Sequence, residues 1–175
     1  MKKKILILFL ILCLFFVSLF VTFKLIFPKK YSNYVIVYAE KYDLDRALVY
    51  AVILAESGFD ASAKSSSGAM GLMQILPSTA SWIASEMGEN FTDNDLYNAE
   101  TNIKFGCFYL SYLYKKFGDT KTAICAYNAG EGAISGWLDE NGKIDESKIA
   151  YGETKNYLKR VMGYYKVYKN NLLGF

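Results

Sequence analysis

Histidine is absent from this chain of 175 residues. Its absence excludes a Ser-His-Asp triad, a Cys-His nucleophile pair and any zinc site with imidazole ligands. Cysteine is scarce as well, since three residues are too few for a four-cysteine zinc site. Any catalysis must therefore use carboxylates, hydroxyls, amides or lysines.

Charge is missing from one long segment near the N-terminus. Three lysines at positions 2–4 precede an uncharged run of nineteen residues, 5–23, and Lys24 then separates this run from the apolar residues 25–27. Nineteen residues rise about 28 Å as a helix, close to the roughly 30 Å hydrocarbon core of a bilayer, and Lys24 can reach the interface by snorkelling. We predict a transmembrane anchor over residues 1–28 and a globular domain over residues 29–175.

Cleavage as a signal peptide is the alternative for this segment. The apolar run is long for a signal core, and no small-x-small cleavage site follows it. Cys13 follows Leu12, where a lipoprotein signal carries a small residue. Three lysines and the amino terminus precede the span, and Lys24, Lys29 and Lys30 follow it, which gives only a slight bias towards an external C-terminal domain. We therefore expect a single-pass protein of the cell membrane whose globular domain is extracytoplasmic.

The remaining residues have an ordinary globular composition without repeats. Residues 28–175 contain 16 basic and 17 acidic side chains, a net charge of −1, so we expect no nucleic-acid partner. Apolar periodicity and capping residues predict a mostly helical domain. Four of the expected helices are 31–41, 77–87, 120–130 and 153–170. Another is capped by Asp43 and ends near 57–58. The last begins at 98 or 100 and ends at 117. The register of the helices around a turn at 118–119 favours free buried thiols at Cys107 and Cys125 over a disulfide.

Glu56 is the first candidate for chemistry. It follows an apolar helical face and stands at the predicted C-terminus of its helix. The negative end of the helix dipole and apolar surroundings both disfavour a charged carboxylate. Such a group can stay protonated near neutral pH and act as a general acid. The alternative is an ordinary solvated glutamate at a helix end.

Two further segments contain polar groups in unusual settings. Residues 65–77 form a Ser/Gly-rich stretch in which glycines allow close approach of a ligand, and Gln74 offers a donor and an acceptor. Residues 126–130 place Tyr127 and Asn128 at a helix end. A surface loop and a core tyrosine are the alternatives for these two segments.

Four motifs in order resemble one family. They are Glu-Ser at 56–57, Gly-Ala-Met-Gly-Leu-Met-Gln-Ile-Leu-Pro at 68–77, Ala-Tyr-Asn-Ala-Gly at 126–130 and Glu-Thr-Lys-Asn-Tyr at 153–157. Over residues 31–170 the chain resembles the catalytic domain of soluble-type (SLT) lytic transglycosylases, which is related in fold to goose-type lysozyme. The resemblance implies a mostly α domain of the lysozyme-like α+β superfamily. It also implies cleavage of the MurNAc-β-1,4-GlcNAc bond of peptidoglycan glycan strands, with 1,6-anhydro ends instead of hydrolysis.

The same resemblance implies a role for individual residues. Glu56 matches the single catalytic acid/base, and Ser65 matches a serine that polarises the substrate N-acetyl group. Leu76 departs from the methionine that relatives often carry, a substitution that conserves volume. Further substrate contacts are implied for Gln74, Tyr127, Asn128 and Glu153.

A single-acid mechanism fits this set of residues. Most glycosidases need two carboxyl groups, and Asp60 and Glu153 are the second candidates here. A lytic transglycosylase needs only Glu56, because the substrate supplies its own N-acetyl group and 6-hydroxyl. We expect no metal ion and no cofactor. A hydrolytic muramidase and a non-catalytic wall-binding protein are the alternatives, and an anchor near the bilayer would suit an envelope-spanning assembly as an unidentified partner.

Overall fold

The structure is a computed structural model that describes residues 2–170. The chain divides into two compact units, Met1–Lys30 and Tyr31–Phe175. The assignment of residues 1–28 as an anchor and 29–175 as a catalytic domain stays a prediction.

The first unit contains one long helix, α1 (Lys2–Ile26). Within it, Leu6–Ile26 is long and apolar enough to cross a membrane, with a mean hydropathy of 3.1 and none of its apolar window buried by protein. The Lys24 ammonium group lies 5.2 Å from the centre of the Phe20 ring. A signal sequence would satisfy the same criteria of length and composition.

The second unit is helical, which confirms the predicted mostly α class. Among residues 31–170 the structure contains isolated β-bridges but no named strand. Two 3₁₀-helices, Asp93–Tyr97 and Ala133–Trp137, were not predicted because five residues are too few for a periodic pattern. The α-helices are α2 (Ser32–Lys41), α3 (Arg46–Glu56), α4 (Pro77–Met87), α5 (Ala99–Phe117), α6 (Thr120–Ala129) and α7 (Gly152–Lys169).

Capping residues explain where these helices begin, and they correct one prediction. The Asp45 carboxylate, not that of Asp43, caps α3 by accepting a hydrogen bond from the Ala47 N–H at 2.9 Å. Asp43 instead takes a left-handed backbone conformation, with φ of 54°. Asn98 caps α5 in the same way, accepting from the Thr101 N–H.

Helix α3 forms the centre of the core, because every side chain from Ala47 to Ile53 is buried. It packs against α7 and α2, and Tyr50 stacks on Tyr168 with ring centres 5.4 Å apart. Cys107 and Cys125 are free and buried, as predicted. Glu56 is the last residue of α3 and the only acidic residue in that helix. The buried part of the helix therefore holds this carboxyl group at its C-terminal end.

Candidate active site

The Glu56 carboxyl group is half-buried between the end of α3 and α7. Helix α3 ends there because Ser57 leaves the helical conformation and Gly58 follows with φ of 61°, a value that glycine adopts without strain. The hydroxyl of Tyr157, on α7, donates a hydrogen bond of 2.6 Å to Glu56 Oε1. Tyr157 itself is 1% exposed, so the hydroxyl that bonds to the carboxyl group belongs to a buried side chain.

Burial raises the pKa of Glu56 to about 7 from its ordinary 4.5. Desolvation is the largest cause, because the charged form loses more water than the neutral form. The Tyr157 hydrogen bond and the Arg160 charge lower the pKa, and the Glu153 charge raises it. Near pH 7 the group is therefore divided between its acid and base forms, which suits one residue that must first give and then take a proton.

Tyr127 lies beside this carboxyl group but bonds elsewhere. Its hydroxyl donates to the backbone carbonyl of Met73 at 2.8 Å. Burial, together with the nearby Glu56 charge, holds the Tyr127 pKa well above its ordinary value. Tyr127 therefore fixes the loop that faces Glu56, whereas Tyr157 is the tyrosine that bonds to the carboxyl group.

The backbone of this loop is held by side chains from the surrounding helices. Asn102, fully buried on α5, accepts from the Met73 N–H at 2.7 Å and donates to the carbonyls of Met70 and Leu96 at 2.8 Å each. The Ser57 hydroxyl donates to the Leu72 carbonyl at 2.8 Å. These bonds satisfy backbone groups that no helix or strand would otherwise pair.

A glycine is required where this loop passes α5. Gly71 has φ of +75°, and a Cβ there would stand 2.1 Å from the Leu96 carbonyl oxygen and 2.3 Å from Asn102 Nδ2. At Gly71 the close approach is therefore to protein atoms, and the approach of a ligand to these glycines stays a prediction. At Gly68, by contrast, a Cβ would meet nothing within 4 Å.

Gln74 and Ser65 both belong to this loop, and both side chains form hydrogen bonds with its backbone. Gln74 adopts φ of 48° and donates from Nε2 to the carbonyls of Gly71 (2.9 Å) and Ala63 (3.2 Å). The Ser65 hydroxyl oxygen accepts from the Ala69 N–H at 3.0 Å. Among residues 2–170 the Ser65 hydroxyl donates to no protein acceptor, so its proton can meet a ligand. The ligand roles of both residues stay predictions.

Asn128 and Glu153 lie at the junction of α6 and α7. Asn128 Oδ1 accepts from the Thr154 hydroxyl at 2.8 Å, which ties the end of α6 to the first turn of α7. Glu153 is exposed in that first turn and acts on Glu56 through its charge.

Asp60 is the other candidate for a second carboxylate. Its side chain accepts hydrogen bonds from the backbone N–H and the hydroxyl of Ser62. Glu153 is therefore the better placed of the two, and its substrate contact stays a prediction.

No group of three His, Cys, Asp or Glu residues that could hold a metal ion is found in the described part of the chain.

The sequence analysis did not predict the role of two residues of the site. Tyr157 closes the fourth motif, but the sequence did not predict its hydrogen bond to Glu56, although its spacing four residues after Glu153 places it one turn along α7. Asn102 gave no recognised signal beyond being a polar residue on an apolar helical face.

Comparisons with known proteins show which family the chain belongs to. Residues 33–150 match the family model described as transglycosylase SLT domain. The chain is 34% identical over 152 residues to the soluble lytic murein transglycosylase of Salmonella typhimurium, which covers 82% of this chain and 24% of the relative. It is 34% identical over 116 residues to the membrane-bound lytic murein transglycosylase E of Buchnera aphidicola, over 61% of this chain and 52% of the relative.

A solved structure of a soluble lytic transglycosylase has a fold similar to that of this chain. The 70-kDa soluble lytic transglycosylase of Escherichia coli superposes with a TM-score of 0.75 at 33% identity, over 82% of this chain and 24% of the longer protein. This chain thus spans about a quarter of the length of these soluble relatives. On its sequence match and its fold, it belongs to the transglycosylase SLT domain family.

Proposed function

We propose that this protein is a peptidoglycan lytic transglycosylase that cleaves the MurNAc-β-1,4-GlcNAc bond without water. The observation that carries the proposal is the Glu56 carboxyl group, whose pKa is raised to about 7 at the end of α3 and which accepts a hydrogen bond from Tyr157. Membership of the SLT family and relatives named lytic murein transglycosylases support it.

In the first step, protonated Glu56 gives its proton to the glycosidic oxygen. The bond from that oxygen to the muramyl anomeric carbon breaks, and its electron pair leaves with the GlcNAc hydroxyl. The muramyl N-acetyl oxygen bonds to the anomeric carbon and forms an oxazolinium ion, which replaces a protein nucleophile. The Ser65 hydroxyl proton is suited to orient this N-acetyl group.

In the second step, Glu56 acts as a base. As a carboxylate it removes the proton of the muramyl 6-hydroxyl, whose oxygen attacks the anomeric carbon and displaces the N-acetyl oxygen. The product is a 1,6-anhydro ring, and Glu56 is again protonated. Attack within one molecule gains from proximity, and acid/base help of this kind contributes roughly 10²–10⁴-fold.

The apolar helix Leu6–Ile26 gives the proposal a location. We infer that it anchors the protein in the cell membrane as a single span, with the catalytic domain on the extracytoplasmic side where peptidoglycan lies. Anchoring would confine cleavage to wall close to the bilayer.

Product analysis tests the reaction. The full-length protein in detergent is incubated with purified peptidoglycan, and the soluble products are examined by mass spectrometry. We expect muramyl ends with the 1,6-anhydro ring, lighter by one water than reducing ends. Reducing muramyl ends alone would identify a muramidase, and the absence of any cleavage would favour a wall-binding protein.

A further inference from the structure

Helix α2 is apolar on two sides, and the protein core covers only one of them. Residues 34–39 read Tyr-Val-Ile-Val-Tyr-Ala, without a charged side chain. Val35 and Ala39 are fully buried, and α2 packs against α3 and α5. Ile36 is 39% exposed and Val37 is 55% exposed. A helix on the surface of a soluble domain normally carries polar residues on its outer side, so these two residues depart from that pattern.

Exposed aliphatic side chains are rare in the rest of the second unit. Among residues 31–170, only Leu76, at the start of α4, is another large aliphatic side chain as exposed as Ile36. A single exposed aliphatic residue needs no explanation. Ile36 and Val37 are adjacent, and we call them together the α2 patch.

The position of α2 in the chain indicates what covers the α2 patch. Helix α2 begins at Ser32, and α1 ends at Ile26, so five residues connect them. Fully extended, the chain from Ile26 to Ser32 reaches at most about 22 Å. With the apolar helix Leu6–Ile26 across a membrane, α2 cannot begin farther than this from the hydrocarbon core. The lipid surface is therefore within reach of the α2 patch.

The residues around the α2 patch suit a bilayer interface. Residues 29–41 contain three lysines and one glutamate, a net charge of +2, in a domain whose net charge is −1. Basic residues next to a membrane span attract anionic lipid headgroups. The one acidic residue of this segment, Glu40, is paired with Arg46 at 3.7 Å. Tyr31 and Tyr34 are partly exposed, and tyrosine is enriched at the headgroup level of membranes.

A protein partner fits the α2 patch less well than lipid does. A stable protein interface uses roughly 20–30 residues on each side and a surface of complementary shape. The α2 patch offers two large apolar side chains. A lipid surface adapts its shape to the apolar side chains of a helix that lies on it, so a small patch next to a membrane span is sufficient.

We propose that α2 lies on the bilayer that holds the apolar helix, with the α2 patch between the lipid headgroups and the upper acyl chains. The inference rests on the membrane anchor of the proposed function. It adds a second contact with the membrane, beyond the anchor itself. This contact would hold the catalytic domain in one orientation on the bilayer surface.

Quenching of a fluorescent label by spin-labelled lipid tests the contact. In the full-length protein Cys13→Ser removes the only exposed cysteine, since Cys107 and Cys125 are buried. Val37→Cys then provides one site for a nitrobenzoxadiazole label, and Ser85→Cys, at an exposed position of α4, is the matched control. Each labelled protein is reconstituted in vesicles of phosphatidylcholine with a minority of phosphatidylglycerol. In half of the samples, part of the phosphatidylcholine carries a nitroxide near the top of one acyl chain.

We expect the nitroxide lipid to quench the label at Val37 at least about twofold more than the label at Ser85, because only the α2 patch enters the lipid. Adding Ile36→Asp should abolish this difference, since a charged side chain resists burial among acyl chains. Thermal unfolding in detergent checks that each variant is folded. If Val37→Cys is not, Ile36→Cys carries the label and Val37→Asp becomes the disrupting substitution.

Equal quenching at Val37 and Ser85 would overturn the proposal, and so would a difference that survives Ile36→Asp. Disulfide cross-linking of Val37→Cys between two copies, without quenching by lipid, would also overturn it and would identify a second copy of the chain as the occupant.

Flotation of the vesicles on a density gradient distinguishes this failure from failure of the proposed function. Protein that does not float with the vesicles has no membrane anchor, which overturns the anchor and the α2 contact together. Protein that floats and releases anhydro products, but whose label at Val37 is not quenched, keeps the proposed function and loses only the α2 contact.

Discussion

Two regions beside Glu56 treat their polar groups in opposite ways. Between α3 and α7 the Glu56 carboxyl group is half-buried and accepts a hydrogen bond from the Tyr157 hydroxyl, and its pKa rises to about 7. In the loop 65–76, the backbone groups of Met70, Leu72 and Met73 form hydrogen bonds with the side chains of Asn102, Ser57 and Tyr127. The first region keeps a carboxyl group reactive by removing water from it, and the second keeps its backbone conformation through hydrogen bonds from side chains.

From this difference we expect the first region to determine catalysis and the second to determine the stability of the fold. Changes between α3 and α7 should alter rate and pH dependence more than folding. Changes that unpair the loop should reduce the free energy of unfolding first. Five substitutions test this separation, beginning with the largest expected effect.

Glu56→Gln keeps the shape of the side chain and removes its transferable proton. We expect release of anhydro products to fall by at least about 10²–10⁴-fold, the usual contribution of acid/base catalysis. The protein should remain folded, because the amide oxygen can still accept from Tyr157. Glu86→Gln, at an exposed position of α4, is the matched control and should retain the parent rate. Equal release by Glu56→Gln and the parent would remove Glu56 from the mechanism.

Asn102→Ala tests the opposite region. It leaves the Met73 N–H and the carbonyls of Met70 and Leu96 without partners, at a cost of about 3 kcal/mol in the free energy of unfolding. Urea unfolding of the full-length protein measures this cost. Asn156→Ala, on the exposed face of α7, should change stability by less than about 0.5 kcal/mol. Similar values for both variants would mean that the loop does not depend on its polar contacts.

Tyr157→Phe removes the hydrogen bond that lowers the Glu56 pKa. The pKa should therefore rise, by about one unit for a charge-assisted bond. Since the reaction begins from protonated Glu56, kcat/KM of the parent should fall as the pH rises above about 7. In the variant this fall should begin at higher pH, which a pH profile of kcat/KM detects. A fall that begins at lower pH would contradict the assigned direction.

Arg160→Gln and Glu153→Gln should give the smallest effects, and of opposite sign. Both side chains are exposed, so solvent screens their charges and shifts of at most about 0.5 pH unit are expected. Loss of the Arg160 charge should raise the Glu56 pKa and move the fall in kcat/KM to higher pH. Loss of the Glu153 charge should move it to lower pH. Shifts in the same direction would show that charge is not the cause.

Much of the fold was accessible from the sequence because its signals are local. Apolar periodicity and the residues Pro77 and Gly118 set helix ends that the structure reproduces within one or two residues. The cap of α3 was misplaced by two positions, since Asp43 and Asp45 are both acceptable caps and only tertiary packing chooses between them.

The site was accessible only in part. Glu56 combines an apolar helical face with a helix end, so the sequence indicated a raised pKa. Its partner Tyr157 lies 101 positions away along the chain, and no local pattern links the two. Asn102 was missed for the same reason, because its three partners belong to other segments.

The central claim is that the Glu56 carboxyl group keeps its proton near neutral pH. A ¹³C NMR titration of glutamate side-chain carboxyls, with the Glu56 signal assigned by its loss in Glu56→Gln, measures this directly. The account predicts a midpoint of about 7. A midpoint near the ordinary value of about 4.5 would mean that the carboxyl group is ionised at neutral pH and has no proton to give.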